Sequence, residues 1–228
     1  MSDFDADTAV PVVGIGPGGD DYLTVGGRRA LRAADVVVGF TSVLDYVDGH
    51  VTDRIDCSYD DQTARLDEFG ERVQAGETGV AVAMGDPNCS GGQFVARVRE
   101  AVGEVRVCPG VSATQLAASR AGVSYDEAAI ESLHKRGDCV AERERLRAAL
   151  PDRALVVIPL PWQTMPEDIA RELLDAHPEA GGRDAIVCES LTLPAETVTR
   201  TTLAELADDA GGEASAFSDL SILVVRAS

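Results

Sequence analysis

Lysine is nearly absent from this sequence. Lys135 is the only one in 228 residues, and every other strongly basic side chain is arginine. Aromatics are scarce as well, at 4% against 45% hydrophobic residues, so the core must be built mostly from Val, Leu, Ile and Ala. No apolar run approaches the ~18 residues that a bilayer span requires. The opening MSDFDADTAV is acidic where a secretion signal would be basic and then apolar. A soluble, cytoplasmic chain is expected, long enough for one large α/β domain or two small ones. The five cysteines (Cys57, Cys89, Cys108, Cys139, Cys188) form no C-x-x-C pair and no zinc-like spacing, and an odd number argues against a disulfide framework. Small, partly buried thiols in a reducing compartment are expected instead. His50, His134 and His177 are too scattered to indicate a metal site.

Negative charge, by contrast, is abundant. Asp and Glu total 39 against 20 Lys and Arg, a net charge of −19. Nucleic acids and anionic membranes both call for a basic face, so neither is an expected partner. Excess acid without lysine fits a salt-rich cytosol, since at ~1 M salt the Debye length is about 3 Å and repulsion among surface carboxylates is screened. An ordinary acidic mesophilic protein would keep several lysines.

Apolar β-branched runs alternate with helical stretches, which predicts an α/β fold with largely parallel pairing. In the first half, strands are expected at 10–15, 35–39, 79–84 and 104–108. Helices should follow at 24–33, 62–74, 93–102 and 112–120. A second cycle after Ala121-Gly122 reads as strands at 129–133, 155–158, 185–188, 197–201 and 220–225, with helices at 139–150 and 166–176. Two domains are expected, 1–120 and 121–228, and the first eight or so residues should lie outside the packed fold.

Three glycine-rich turns follow strands of the first half. The first, Gly14-Ile15-Gly16-Pro17-Gly18-Gly19, matches G-x-G-x-x-G, the dinucleotide fingerprint. Against that reading, Pro17 occupies the turn and Asp20-Asp21 would repel a pyrophosphate. The ribose-binding acid expected after the second strand is also missing from VVVGFT. The second turn is Gly85-Asp86-Pro87-Asn88-Cys89-Ser90-Gly91-Gly92 and the third is Pro109-Gly110-Val111-Ser112-Ala113. Each could be a plain connection, since Asp-Pro and Gly-Gly form turns. Together they could meet at the carboxyl edge of one parallel sheet, where α/β proteins bind ligands.

The order and spacing of these turns resemble the tetrapyrrole (corrin/porphyrin) methylases. The likeness is carried by V-V-G-I-G-P-G-G-x-x-x-L-T, A-L-x-x-A-D-V-V-V-G, the G-D-P loop and P-G-V-S-A. Within that family, Glu131-Ser132-Leu133-His134-Lys135-Arg136 resembles the S-L-H-G-R segment of the cobalt-precorrin-7 C5-methyltransferases of cobalamin biosynthesis. Cys188-Glu189-Ser190-Leu191, Pro194-Ala195-Glu196, Thr202 to Leu206 and Phe217-Ser218-Asp219-Leu220 resemble the same subfamily. Lys135 departs from it, standing where glycine is usual. A basic triplet is otherwise a solvated surface turn, but a sole surviving lysine in the marker segment is expected to meet an anion.

The resemblance implies two α/β domains with mainly parallel or mixed sheets and S-adenosylmethionine (SAM) in the cleft between them. Gly16, Pro17, Gly85, Asp86, Cys89, Ser112 and Ala113 would hold SAM, with Leu160 completing the pocket. The corrin substrate carries acetates and propionates, for which Arg120, Lys135 and Arg136 are candidate ligands and Arg28 and Arg29 weaker ones. His134 could carry a proton at the substrate or merely donate a hydrogen bond. No protein-ligated metal is expected. The resemblance also implies a homodimer and a separate protein for the C15 methylation and decarboxylation. Three rivals stay open at this point: another member of the family (a different precorrin position, sirohaem formation or diphthine synthase), a nicotinamide-dependent oxidoreductase, and a binding module without catalysis.

Overall fold

The computed structural model describes residues 9–135 and 137–227. They divide into two compact units, one ending at Ser112 and the other beginning at Ala113. Among the described residues no helix is long and apolar enough to cross a membrane.

The first unit is a five-stranded parallel sheet in the order β3-β2-β4-β1-β5, with β1 Val10–Gly14, β2 Val36–Phe40, β3 Arg54–Cys57, β4 Gly79–Ala83 and β5 Val105–Cys108. Alternation along the strands divides the apolar residues between two faces. Val10, Val12, Val36, Val38 and Ala81 pack on one side with Leu66 and Phe69 of α3 (Gln62–Gln74) and Phe94 and Val98 of α5 (Gly92–Val102). Val13, Ile15, Val37, Val80 and Val82 pack on the other with Leu31 of α1 (Val25–Ala33) and Leu44 of α2 (Thr41–Leu44). Burial on both faces explains why these strands read as continuous apolar runs. Thr24 caps α1, its Oγ1 accepting from Gly27 N at 3.0 Å.

The second unit holds a mixed sheet in the order β6-β7-β10-β8-β9, with β6 Ala129–Ser132, β7 Leu155–Ile158, β8 Asp184–Glu189, β9 Thr197–Thr202 and β10 Ser221–Val225. Only β6 and β7 run parallel; β7–β10, β10–β8 and β8–β9 are antiparallel. Mixed pairing is therefore confined to this unit, and the largely parallel pattern belongs to the first. One face is covered by α7 (Val140–Ala149), α8 (Pro166–Ala176) and α9 (Leu203–Asp208), the other by α6 (Ala113–Ala121).

Strand β3 and helix α9 depart from the sequence expectation, as do the one-turn helices at Thr41–Leu44 and Pro87–Ser90. Strand β3 was not expected, because Arg54 and Asp56 face outward and only Ile55 and Cys57 are buried. Helix α9 was not expected either, although Thr202 and Glu205 cap it reciprocally: Glu205 N donates to Thr202 Oγ1 at 3.2 Å and Thr202 N to Glu205 Oε2 at 3.0 Å. The division between units also falls before α6, not after Arg120. Ala117, Ala118 and Ala121 of that helix pack against Val156, Ile186 and Val224 of the second sheet, so the helix belongs to the second unit.

Candidate functional site

Strands β1 and β4 are neighbours, yet the chain leaves them in opposite directions, towards β2 from β1 and towards β5 from β4. Such a topological switch point opens a crevice at the carboxyl ends of the strands. The three glycine turns leave the sheet there, after β1, β4 and β5. Gly16 and Gly85 join across the crevice, Gly85 N donating to Gly16 O at 2.7 Å and Gly16 N to Gly85 O at 3.2 Å. Both have positive φ, +79° and +64°, which favours glycine at each position. Gly110 joins them: a Cβ built on Gly14 would lie 2.5 Å from Gly85 O, 2.6 Å from Gly110 N and 2.7 Å from Pro87 Cδ. The turns therefore meet backbone to backbone, and a side chain on Gly14 would push them apart.

Pro17 and Ser112 are buried beside these turns in the chain, whereas Cys89 and Ala113 are half-buried. Asp86 is also half-buried and caps α4 (Pro87–Ser90), its Oδ1 accepting from Asn88 N and Asn88 Nδ2, each at 3.0 Å. The G-x-G-x-x-G turn does not enter a helix directly. A short 3-10 turn, Asp20–Tyr22, intervenes before α1 begins at Val25, so no helix N-terminus abuts the glycines as a pyrophosphate would require. Asp20 is neutralised locally by Arg28 at 3.1 Å and His50 at 2.6 Å, and the His50 hydrogen bond leads in holding its pKa below the usual carboxylate value.

The second unit has a corresponding edge. Strand register places the ends of β6, β7 and β8 beside the starts of β10 and β9 (Ser132 opposite Ile158, Ser221 opposite Glu189, Glu189 opposite Thr197). The loops at this edge carry His134 and Lys135, Leu160, Ser190 and Asp219. Four non-glycine residues among those described have positive φ: Cys139, Trp162, Ser190 and Thr192. All four lie in these loops, and such strain is concentrated where surrounding structure holds a functional shape. Leu160 forms a tight bridge with Thr164, donating to its carbonyl at 3.1 Å and accepting from its N at 2.8 Å. The segment before β10 is pinned by two carboxylates. Ser215 Oγ donates to Glu167 Oε1 at 2.7 Å, and Ser218 N donates to Glu189 Oε1 at 2.8 Å. His134 is exposed, yet desolvation by the protein around it lowers its pKa from 6.5, opposed by the field of Asp219. Asp219 and Glu189 lie within subfamily-like segments but carried no role in the sequence reading. The clue to Asp219 was its place beside β10, at the edge that also holds His134.

Three of the candidate substrate cations, Lys135, Arg120 and Arg28, are already paired with carboxylates. Lys135 Nζ lies 2.8 Å from Glu142, and with Arg145 it holds the Glu142 pKa down to about 2. The anion that Lys135 meets here is thus internal. Arg120 Nε donates to Glu196 Oε1 at 2.7 Å, and Arg28 is tied to Asp20. Arg29 is exposed on α1. Arg136 lies outside the described residues. Cys57 and Cys188 are buried thiols whose pKa desolvation pushes up to about 11, which removes thiolate chemistry near neutrality. No metal-binding cluster of His, Cys, Asp and Glu occurs among the described residues.

One unit gathers backbone turns at a switch point and the other carries constrained loops along one sheet edge, and α/β folds bind ligands at strand ends of this kind. The chain belongs to the tetrapyrrole (corrin/porphyrin) methylases, whose family profile matches residues 9–207. Membership of this family weighs against the nicotinamide reading of the first turn. The cobalamin biosynthesis protein CobIJ of Mycobacterium tuberculosis is 32% identical over 191 residues, 75% of this chain and 36% of that protein. This chain therefore spans about a third of that relative's length. The cobalt-precorrin-7 C(5)-methyltransferase of Salmonella typhimurium is 27% identical over 187 residues, 82% of this chain and 87% of that one. The uroporphyrin-III C-methyltransferase of Thermus thermophilus, solved with S-adenosyl homocysteine, superposes with a TM-score of 0.73 at 23% identity, covering 96% of this chain and 92% of that one.

Proposed function

We propose that this protein transfers a methyl group from SAM to C5 of cobalt-precorrin-7 in cobalamin biosynthesis. Supporting the reading, the Ser132-Leu133-His134 segment resembles that subfamily, and the Salmonella C5-methyltransferase is matched over most of both chains. The observation that carries the methyl-donor half is the close approach of Gly14, Gly85 and Gly110, which gathers three backbone turns at one strand-end edge with no room for a side chain between them. The proposed donor-binding set is Gly16, Pro17, Gly85, Asp86, Cys89, Ser112, Ala113 and Leu160. Backbone amides and carbonyls can recognise adenine and an amino-acid end without charged side chains, which fits the glycine content of the turns. A homodimer and a salt-rich cytosol are proposed with it, the first on family resemblance and the second on the −19 charge.

The donor supplies an electrophilic methyl group on a sulfonium. The chain's task is to orient: turns built from backbone hold the reactants in line, and orientation of this kind can supply ~7–11 kcal/mol of a barrier. Electrons flow from the ring carbon into the new C–C bond, and the C–S pair stays on sulfur. The positive charge left on the ring is discharged by losing a proton. His134, its pKa lowered and its ring neutral near pH 7, is the proposed acceptor, with Asp219 stabilising the imidazolium that results. No covalent intermediate on the protein is needed, because the nucleophile is the substrate.

The test is mass spectrometry and carbon NMR of the product formed from a purified cobalt-corrin intermediate and SAM labelled in its methyl carbon. One labelled methyl at C5 is expected. A label at another ring carbon would move the protein to a different member of the family, and NAD binding without SAM binding would remove the methylase reading.

A further inference from the structure

Aromatic residues are rare in this chain, yet three of them touch at the carboxyl edge of the first sheet. Phe40 ends β2, and its ring lies 4.9 Å from Tyr59 and 5.9 Å from Phe94, tilted by 46° and 45°. Phe94 is buried and supports the cluster from below. Tyr59 remains 66% exposed, although a ring recruited only to extend the core would bury itself. Asp61 Oδ1 accepts from Ser58 N at 2.6 Å and Ser58 Oγ at 2.8 Å and so closes the turn that carries Tyr59. In the β2–β4 register Val38 stands opposite Ala81, so Phe40 falls level with Ala83, the last residue of β4 and two residues before Gly85. The shelf and the second glycine turn thus leave the carboxyl edge of neighbouring strands, β2 and β4.

Arg97 lies one helical turn after Phe94 on α5. Its guanidinium is half-buried and donates to the neutral amide of Gln62 at the start of α3. Among the described residues it forms no ion pair, whereas most arginines of this acidic chain are matched to carboxylates. A guanidinium has five donors in a planar fork suited to a carboxylate.

We propose that Phe40, Tyr59 and Arg97 form a substrate seat that takes a flat conjugated macrocycle bearing carboxylates, the ring face lying on Tyr59 and one peripheral carboxylate on Arg97. This rests on the methylase reading above and assigns its substrate half to residues of the first unit.

Fluorescence quenching of uroporphyrin III, with S-adenosyl homocysteine affinity measured by calorimetry on the same samples, tests it. Tyr59→Ala should weaken porphyrin binding by about fivefold to tenfold, since a stacked aromatic pair contributes on that scale. Tyr59→Phe should stay within about twofold, because the ring face is retained. Arg97→Gln should weaken binding about tenfold or more through loss of a charge-assisted contact. All three should bind S-adenosyl homocysteine as the parent does. Porphyrin binding shared equally by the parent and all three variants would overturn the seat alone. Failure of the parent to bind any tetrapyrrole would overturn the substrate reading and the seat together.

Discussion

Replacing Gly14 by alanine adds one methyl group at the point where three turns meet, and the structure sets the size of the effect. The new Cβ would fall 2.5 Å from the Gly85 carbonyl oxygen, about 0.9 Å inside ordinary contact distance, and 2.6 Å from Gly110 N. Both obstacles are backbone, so no side chain can swing aside. Relief requires the turns after β1, β4 and β5 to part, which breaks the Gly16–Gly85 bridge. Overpacking of this kind costs about 1–3 kcal/mol, or ~2–4 °C of Tm per kcal/mol for a chain of this length. Gly26→Ala is the matched control. It makes the same chemical change on α1, where nothing lies within 4 Å, and should gain about 0.5 kcal/mol from helix propensity. Urea unfolding and SAM calorimetry at one fixed salt concentration measure both quantities. The expected pattern is Gly14→Ala destabilised with SAM affinity lost, and Gly26→Ala stabilised with affinity intact. If Gly14→Ala matched the parent in both measurements, the convergence of turns could not be what binds the donor.

Asp86→Arg should abolish SAM binding and remove the α4 cap, worth about 1 kcal/mol; Asp86→Asn keeps an accepting oxygen and should restore the cap, as read by calorimetry and thermal unfolding. The pKa of His134 is lower in the folded chain than its 6.5 reference, so folding resists its protonation. The penalty is absent well above pH 6.5 and fully present below the folded pKa. Urea titrations from about pH 7 to about pH 5 should therefore show the parent losing more stability than His134→Gln, and parallel curves would refute the assignment. Arg183 is 9% exposed and its guanidinium caps three backbone carbonyls, those of Leu150, Arg153 and Arg226. Orphaning them in Arg183→Met should cost about 2–4 kcal/mol in chemical unfolding. If the −19 charge reflects a salt-rich setting, Tm should rise between about 0.1 M and about 1 M KCl as the Debye length contracts; a flat or falling Tm would reject that reading.

What could be read from the sequence depended on how local the determining interactions are. The glycine turns were readable because they are built from backbone. Only a residue without a side chain fits where Gly14, Gly85 and Gly110 crowd together, so the requirement is written into residue identity. The buried parallel strands were readable for a similar reason, since β1, β2 and β4 are covered on both faces and must be apolar throughout. Strand β3 escaped because it is a four-residue edge held by neighbour pairing with β2, not by its own composition. Helix α9 did announce itself through Thr202-x-x-Glu205, but its six residues are too few for helical periodicity to register. Charge pairing was the hardest to foresee. The partner of Arg120 is Glu196, 76 residues away, and nothing local to either residue points to the other. With 39 acidic residues against 20 basic ones, a surface cation meets a carboxylate readily through the charge excess alone. Rarity of lysine therefore says little about what Lys135 binds, and its contact with Glu142 follows from the charge excess itself. The more informative cation is one that the fold keeps away from acid, half-buried and set against a neutral amide, as Arg97 is against Gln62.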